Sequence, residues 1–142
     1  MQNFDEKTLR TIAGLSHQYP KLLKYYEEFH ASLKLFASRH LTTMAISDLV
    51  NKTSFEVSLV GATLRFELKA ALNDTEPVGV ITAYEPRSGT QGDYKVDSLL
   101  FDKSGMSTLS SPEGNAVDFV YVAEEVVSEI FRKLLIGRTQ PD

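Results

Sequence analysis

Apolar and polar residues alternate most regularly along the segment Ser54–Ala71. A period of two places successive side chains on opposite faces of a β-strand. Gly61 interrupts the alternation and can adopt the positive φ that a two-residue hairpin turn requires. A turn at Gly61-Ala62 would pair Phe55 with Leu68, so the segment predicts a hairpin with one apolar face. The residues of that face are Phe55, Val57, Leu59, Leu64, Phe66 and Leu68.

Apolar residues spaced by three and four indicate helices near the N terminus. The most continuous stripe predicts a helix over Pro20–Arg39. Its members are Leu22, Tyr26, Phe29, Leu33, Phe36 and His40. A shorter helix is predicted over Asp5–Leu15. We expect Pro20 to separate the two helices, because proline disfavours the helical conformation of the residue before it.

A third helix is predicted over residues 115–136, with Asn115 as its N-cap and Gly137 at its end. Its main apolar stripe is wide enough to cover a sheet. An adjoining apolar row is then left over, and it consists of Val117, Tyr121, Phe131 and Leu135. This row predicts an interface with the same helix of a second copy, since two-fold contacts are the commonest form of self-association. The two N-terminal helices are the alternative cover for the row.

The alternating pattern continues after the hairpin. It predicts strands over Val78–Glu85, Asp93–Asp102 and Met106–Leu109, separated by turn-forming residues. The segment 41–53 fits either a short edge strand or a helical turn capped by Ser47. Short connections between consecutive strands favour antiparallel neighbours.

These elements predict a single α+β domain over residues 1–142, which is the usual size of one domain. Its antiparallel sheet is a meander of four to five consecutive strands within residues 53–109. Two N-terminal helices within residues 1–40 and the long C-terminal helix within residues 115–136 are expected to pack on one face of this sheet.

Composition and charge exclude several classes of function. The chain has no cysteine, which excludes disulfides, thiolate metal sites and cysteine nucleophiles. No apolar run suits a signal peptide or a membrane span, so we expect a cytoplasmic protein. The net charge of −4 argues against nucleic-acid binding, which depends on Lys and Arg. Residues 1–40 carry a net charge of +2 and residues 76–142 one of −5, so the two ends could attract each other within one chain or between two copies.

The segment Pro86–Gly92 is the most glycine-rich connection, and its candidate ligand-binding residues are Arg87, Gly89 and Gly92. Backbone N–H groups beside an arginine suit a phosphate, but a phosphate cradle requires a helix to begin there. A strand is predicted instead. The main interpretation is therefore a hairpin loop, although binding groups are often carried by such loops.

Catalytic and metal-binding patterns are weak. Glu27 and His30 are spaced to share one helical face, but metal sites of helical bundles need two such steps and further glutamates. No G-x-S-x-G motif indicates a hydrolase. Asp93 and Asp97 lie on one side of a predicted strand, where they suit surface charge pairing as well as acid–base chemistry. We predict no catalytic residue, no metal and no cofactor.

A DNA-binding helix-turn-helix is an alternative interpretation of Ile46–Val60, because several small and apolar residues fall at the positions of that motif. Lys52 opposes it, since the motif requires an apolar residue in the turn. The strict strand alternation from Ser54 onward also opposes it.

We therefore expect a protein-binding or adaptor domain without catalytic activity that forms a homodimer. Secretion chaperones and toxin-neutralising partners resemble it in shape alone, which is weak support for a function. The alternative is a small-molecule-binding or enzymatic domain, with a pocket between sheet and helices near residues 86–92. A buried apolar pocket with converging polar groups would favour that alternative.

Overall fold

The computed structural model describes residues 6–87, 92–110, 116–118 and 123–139. The described strands lie in the sheet in chain order, and each is antiparallel to the next. This confirms the predicted α+β class and the meander. The elements are α1 Glu6–His40, β1 Ala45–Ile46, β2 Ser54–Leu59, β3 Ala62–Asn73, β4 Glu76–Glu85, β5 Tyr94–Asp102, β6 Met106–Ser110, β7 Ala116–Asp118 and α2 Ala123–Thr139.

The N-terminal region forms one helix of 35 residues, and the predicted break into two helices was wrong. Pro20 lies inside α1 on its exposed side. Proline removes one helical hydrogen bond and costs about 3 kcal/mol in a helix interior. A break would leave up to four N–H and four C=O groups unsatisfied at the new ends. The uninterrupted helix therefore loses fewer hydrogen bonds than two separate helices would.

Both helices pack on the same face of the sheet. Their buried residues belong to one apolar cluster with the inward-facing residues of β2 to β5. α1 contacts β3 and β4, whereas α2 packs beside α1 and contacts β5. The fully buried large side chains of this core are Leu22, Tyr26, Phe29, Leu33, Phe55, Val57, Leu64, Phe66, Ile81, Phe101 and Phe131.

Tyr26 attaches α1 to the hairpin. Its hydroxyl is buried and donates a hydrogen bond of 2.8 Å to the carbonyl of Phe66. Its ring lies 5.7 Å from that of Phe55, which in turn stacks on Phe66 at 5.4 Å. Burial, and secondarily the charge of Glu67, raise the pKa of Tyr26 far above its ordinary value. Burial therefore favours the neutral phenol, which donates this hydrogen bond.

The β2–β3 hairpin has the predicted apolar face, although Leu59 is only half-buried. The predicted register was wrong by two residues. Phe55 pairs with Phe66, and the turn residues are Val60 and Gly61, with φ of 47° and 78°. These angles suit the hairpin turn in which both central residues have positive φ. A shift of two residues returns each side chain to the same face, so the apolar pattern could not distinguish the two registers.

The segment 41–53 resolves to the edge-strand alternative. β1 pairs with the second half of β2, and Ser47 extends this contact. Ser47 does not cap a helix. Its hydroxyl accepts a hydrogen bond of 2.8 Å from the backbone N–H of Glu56. The chain then reverses through Asn51 and Lys52, which both have positive φ.

The C-terminal helix begins later than predicted. Ala116–Asp118 forms β7, which pairs with β6, and α2 starts only at Ala123. The proposed N-cap Asn115 lies outside the described residues. Pairing with the edge of β6 is a tertiary contact, and it outweighs the helical spacing of a few apolar residues. α2 also continues through Gly137 to Thr139, so glycine does not end it.

A substitution of Val60 by Asn is expected to stabilise the protein by about 1–2 kcal/mol, the typical cost of the left-handed conformation for an L-residue. Asn-Gly is the preferred pair for this turn, and Val60 is 69% exposed, so little packing is lost. Urea denaturation measures the change. The control Val60→Thr keeps the β-branched side chain and should stay within about 0.5 kcal/mol of wild type. Equal stabilities of the Asn and Thr variants would contradict the assignment of the turn.

Gly79→Ala is expected to destabilise the protein by about 1–3 kcal/mol, as overpacking does. Gly79 lies opposite Phe101, whose ring covers it so closely that a Cβ at residue 79 would collide with the ring. The control is Gly14→Ala in α1, where a Cβ meets nothing within 4 Å. That change should stabilise the helix by roughly 0.5–1 kcal/mol. Effects of the same sign at both glycines would show that the Phe101 ring does not lie on Gly79.

Candidate functional site

The structure describes the predicted ligand-binding loop only at its two ends, where Arg87 contacts side chains of β4 and β5. Arg87 lies 3.4 Å from Glu85, and its guanidinium group is 4.4 Å from the ring centre of Tyr94. Gly92 has a φ of 69°, a conformation suited to glycine. Gly89 lies outside the described residues. The two described candidates therefore have clear structural roles at the ends of the loop.

A charged cluster beside this loop was not predicted, and it surrounds Arg65. Arg65 alternates with buried Leu64 and Phe66, so it projects from the sheet face opposite the helices. One terminal nitrogen of its guanidinium lies 2.5 Å from Asp93 and 3.0 Å from Glu67. The guanidinium is also 5.2 Å from the ring centre of Tyr84. About a quarter to a third of each of the three charged side chains is exposed.

The cluster shifts the titration of its members. The hydrogen bond from Arg65 holds the pKa of Asp93 below its ordinary value, although desolvation opposes the shift. The backbone N–H of Arg87 also favours the charged carboxylate. Desolvation disfavours the charge of Arg65, but hydrogen bonds to Asp93 and Glu67 outweigh it and raise its pKa. Asp93 thus connects the side chain of Arg65 in β3 with the backbone N–H of Arg87 at the start of the loop.

This arrangement is suited to holding strands together. The guanidinium of Arg65 already has two carboxylate partners, and that of Arg87 has one carboxylate and one aromatic ring. Neither offers an uncompensated positive charge to a phosphate or another anion. Sequence reasoning missed the cluster because Arg65 and Asp93 are far apart in the chain and become neighbours only through the register of β3, β4 and β5.

The predicted interface row does not form one free surface. Phe131 is 2% exposed and belongs to the chain's own core, and Leu135 packs half-buried against that core. Val117 lies in β7 instead of in a helix. Tyr121 lies outside the described residues. Phe131 and Leu135 therefore face the chain's own core.

His30 has a structural role. It is 8% exposed, its ring lies 4.7 Å from that of Phe55, and its Nε2 lies 2.7 Å from the carbonyl oxygen of Ser47. A carbonyl oxygen only accepts, so Nε2 carries the proton. The ring thereby joins α1 to the segment after β1. Among the described residues, no group of three or more histidine or acidic side chains could hold a metal ion.

The first part of α1 contributes no buried residue. We call Glu6–Tyr19 the arm, and the first buried side chain after it is Leu22. Leu9 is 48% and Ile12 49% exposed. Leu15 packs half-buried at the border of the core. Leu9 and Ile12 are three residues apart, so the arm presents two exposed apolar side chains on one side.

A shallow cavity of about 170 Å³ lies at the end of β4 remote from the predicted loop. Its lining residues are Asn73, Val78, Leu100, Phe101, Asp102, Met106 and Ser107. It is more open than the enclosed apolar sites typical of small ligands.

The helix-turn-helix alternative required a helix over Ser54–Ala62, where the structure has β2 and the start of β3. None of the described helices is long and apolar enough to cross a membrane.

Comparisons with protein-family models, with curated proteins and with solved structures gave no significant match.

Replacing Arg65 by Met should lower the melting temperature by a few degrees at pH 7 and by less at pH 3. Because the pKa of Asp93 is lowered in the folded state, its charged carboxylate stabilises the fold at pH values above the ordinary aspartate pKa of about 3.9. This stabilisation is lost as the pH falls through the folded-state pKa. Thermal melts at both pH values measure this. The control Arg132→Met breaks an exposed pair with Glu129, which should contribute little. An Arg65 effect that equals the Arg132 effect, or that persists in acid, would contradict the role of the cluster.

Proposed function

We propose that this chain is a non-catalytic protein-binding domain that inserts the arm of α1 into an apolar groove on an acidic partner protein. The observation that carries the proposal is the exposure of two apolar side chains of the arm, Leu9 and Ile12. Amphipathic helices commonly bind in this way, with anchors spaced by three or four residues. The two residues have the spacing of such anchors.

The charge of this region supports an acidic partner. The arm contains two basic residues, Lys7 and Arg10, and one acidic residue, Glu6, and the basic residues Lys21 and Lys24 follow it in α1. Arg10 and Glu6 form a highly exposed pair at 3.5 Å, which contributes little within the chain. A basic helix would approach a negatively charged groove faster and would disfavour basic partners.

The arm also contains one residue that weakens a helix, and a second lies at its boundary. Pro20 removes a helical hydrogen bond, and Gly14 costs roughly 1 kcal/mol relative to alanine. Packing within the described chain does not require the glycine, since a Cβ there meets nothing within 4 Å. Most of the stability of a helix in a protein comes from tertiary packing of one face, and the arm has no buried side chain. A partner groove would supply the contacts that the sheet does not provide.

The proposal includes the cytoplasmic location predicted from the sequence, and a composition without cysteine is consistent with a reducing compartment. The alternative of a pocket near residues 86–92 has less support. The arginines there are engaged with carboxylates, and the cavity described above lies at the other end of β4.

The double variant Leu9→Glu/Ile12→Glu is expected to lose the partner while the domain remains folded. Two charges in an apolar groove should weaken binding by at least about tenfold, which corresponds to about 1.4 kcal/mol. Immobilised wild type and variant are compared for the proteins that they retain from an extract of the native cells, quantified by mass spectrometry. Circular dichroism verifies the fold of each variant.

The matched control is Leu35→Glu, because Leu35 is also on α1 and is 50% exposed but lies outside the arm. Proteins retained by wild type and by this control, and lost by the arm variant, would support the proposal. Retention of the same proteins at the same level by the arm variant would overturn it.

A further inference from the structure

β3 is twice as long as its neighbour β2, with 12 residues against 6. β2 covers β3 from Ala62 to Glu67, and the N–H of Leu68 then donates to the carbonyl of Thr53 at 2.9 Å. The remaining segment, Lys69–Asn73, pairs with β4 on one side. On its other side no described strand pairs with it. We call this side of Lys69–Asn73 the open edge.

The register determines which backbone groups point to the open edge. In an antiparallel ladder, successive residues direct their N–H and C=O groups alternately to one neighbour and to the other. Leu68 directs its N–H toward β2, so Ala70 and Leu72 direct theirs the same way. No hydrogen bond from a described residue satisfies these groups. Four backbone groups are thus available for pairing with another strand.

The side chains of the open edge do not protect it. Such edges are usually blocked by proline, by charged side chains or by a bulge. Here Ala70 and Ala71 are half-buried, and Leu72 is 38% exposed. Lys69 is the only charged residue of the segment. An apolar edge of this kind is a template for strand addition.

We propose that the open edge pairs with the same edge of a second copy, in an antiparallel contact about a two-fold axis. Ala70 of each copy would then lie opposite Leu72 of the other. These two equivalent pairs would form four backbone hydrogen bonds. Ala71 would lie opposite its own equivalent in a non-hydrogen-bonded pair. This is an isologous contact, because one patch meets itself.

The charges flanking the edge favour a second copy over another strand. Exposed Lys52 and Lys69 lie at one end of the segment, and exposed Asp74 and Glu76 lie at the other. Antiparallel two-fold pairing brings the basic end of each copy to the acidic end of the other. A parallel pairing would instead place like charges together, which is destabilising. The contact does not involve the arm, so it is independent of the proposed function.

The absence of cysteine allows a direct test by cross-linking. The Cα atoms of a non-hydrogen-bonded antiparallel pair are about 4.5 Å apart, within the range of a disulfide. Ala71→Cys should therefore form a disulfide-linked dimer under mild oxidation. Val60→Cys is the control, because residue 60 is 69% exposed and lies at the opposite end of β3. We expect the Ala71→Cys protein to cross-link at least about tenfold faster, since pairing raises the effective thiol concentration. Equal rates would overturn the proposal.

Two further variants of the Ala71→Cys protein distinguish paired strands from chance collision. Leu72→Pro removes an N–H that points to the open edge and leaves the ladder with β4 intact. The circular dichroism spectrum should therefore be unchanged, while the rate of cross-linking falls to that of the control.

A second set of variants reverses charges. Lys52→Glu/Lys69→Glu makes both ends of the segment acidic, and Asp74→Lys/Glu76→Lys makes both ends basic. Each charge variant alone should cross-link more slowly than its parent, and an equimolar mixture should recover the rate through mixed dimers. A folded Leu72→Pro protein that cross-links at the parent rate, or a mixture without recovery, would overturn the two-fold pairing.

Discussion

The position of α1 on the sheet depends on the hydrogen bond from Tyr26 to the carbonyl of Phe66. A buried hydroxyl without a partner would cost about 1–3 kcal/mol, so the rotation and depth of the helix are restricted to those that bring Tyr26 to the strand. The same rotation places Phe29 and His30 against Phe55. The remaining buried residues of the helix follow the apolar stripe from this point. An apolar stripe alone would allow the helix to slide along the sheet, whereas a directional bond to one carbonyl does not.

The sequence predicted the faces of the strands more reliably than their partners. Alternation shows which side of β2 and β3 is apolar, but shifting the pairing by two residues leaves that side unchanged. The true register depends on a turn that holds Val60 at a φ of 47°. β-Branched residues rarely adopt this conformation, so turn preferences favoured the neighbouring pair Gly61-Ala62. The packing of Phe55 on Phe66 compensates for the strain, and no local signal reveals that contact.

Helix boundaries and the charged cluster were predicted less well because they depend on distant partners. Pro20 is a strong local signal for a break, yet the helix continues through it. Residues 116–118 have a helical spacing, yet they pair with β6. The contact between Arg65 and Asp93 requires the register of three strands and the bulge after Ala83. The candidate loop near Arg87 was therefore found from its composition, but the ion pairs that occupy its charges were not.

The two proposed surfaces have one structural cause, since each belongs to an element longer than the element that covers it. α1 spans about 52 Å at 1.5 Å per residue, but its buried residues, Leu22 to Ala37, span only about 24 Å. β3 extends past β2 by six residues, and the last five form the open edge. An overhang that remained in water would be expected to become polar, because exposed apolar helix faces and unprotected strand edges favour aggregation. Both overhangs instead keep apolar side chains. Those of the open edge lie between basic and acidic residues, and those of the arm lie close to basic residues. This combination is expected of surfaces that are covered by a specific partner, which the charges select and the apolar side chains hold.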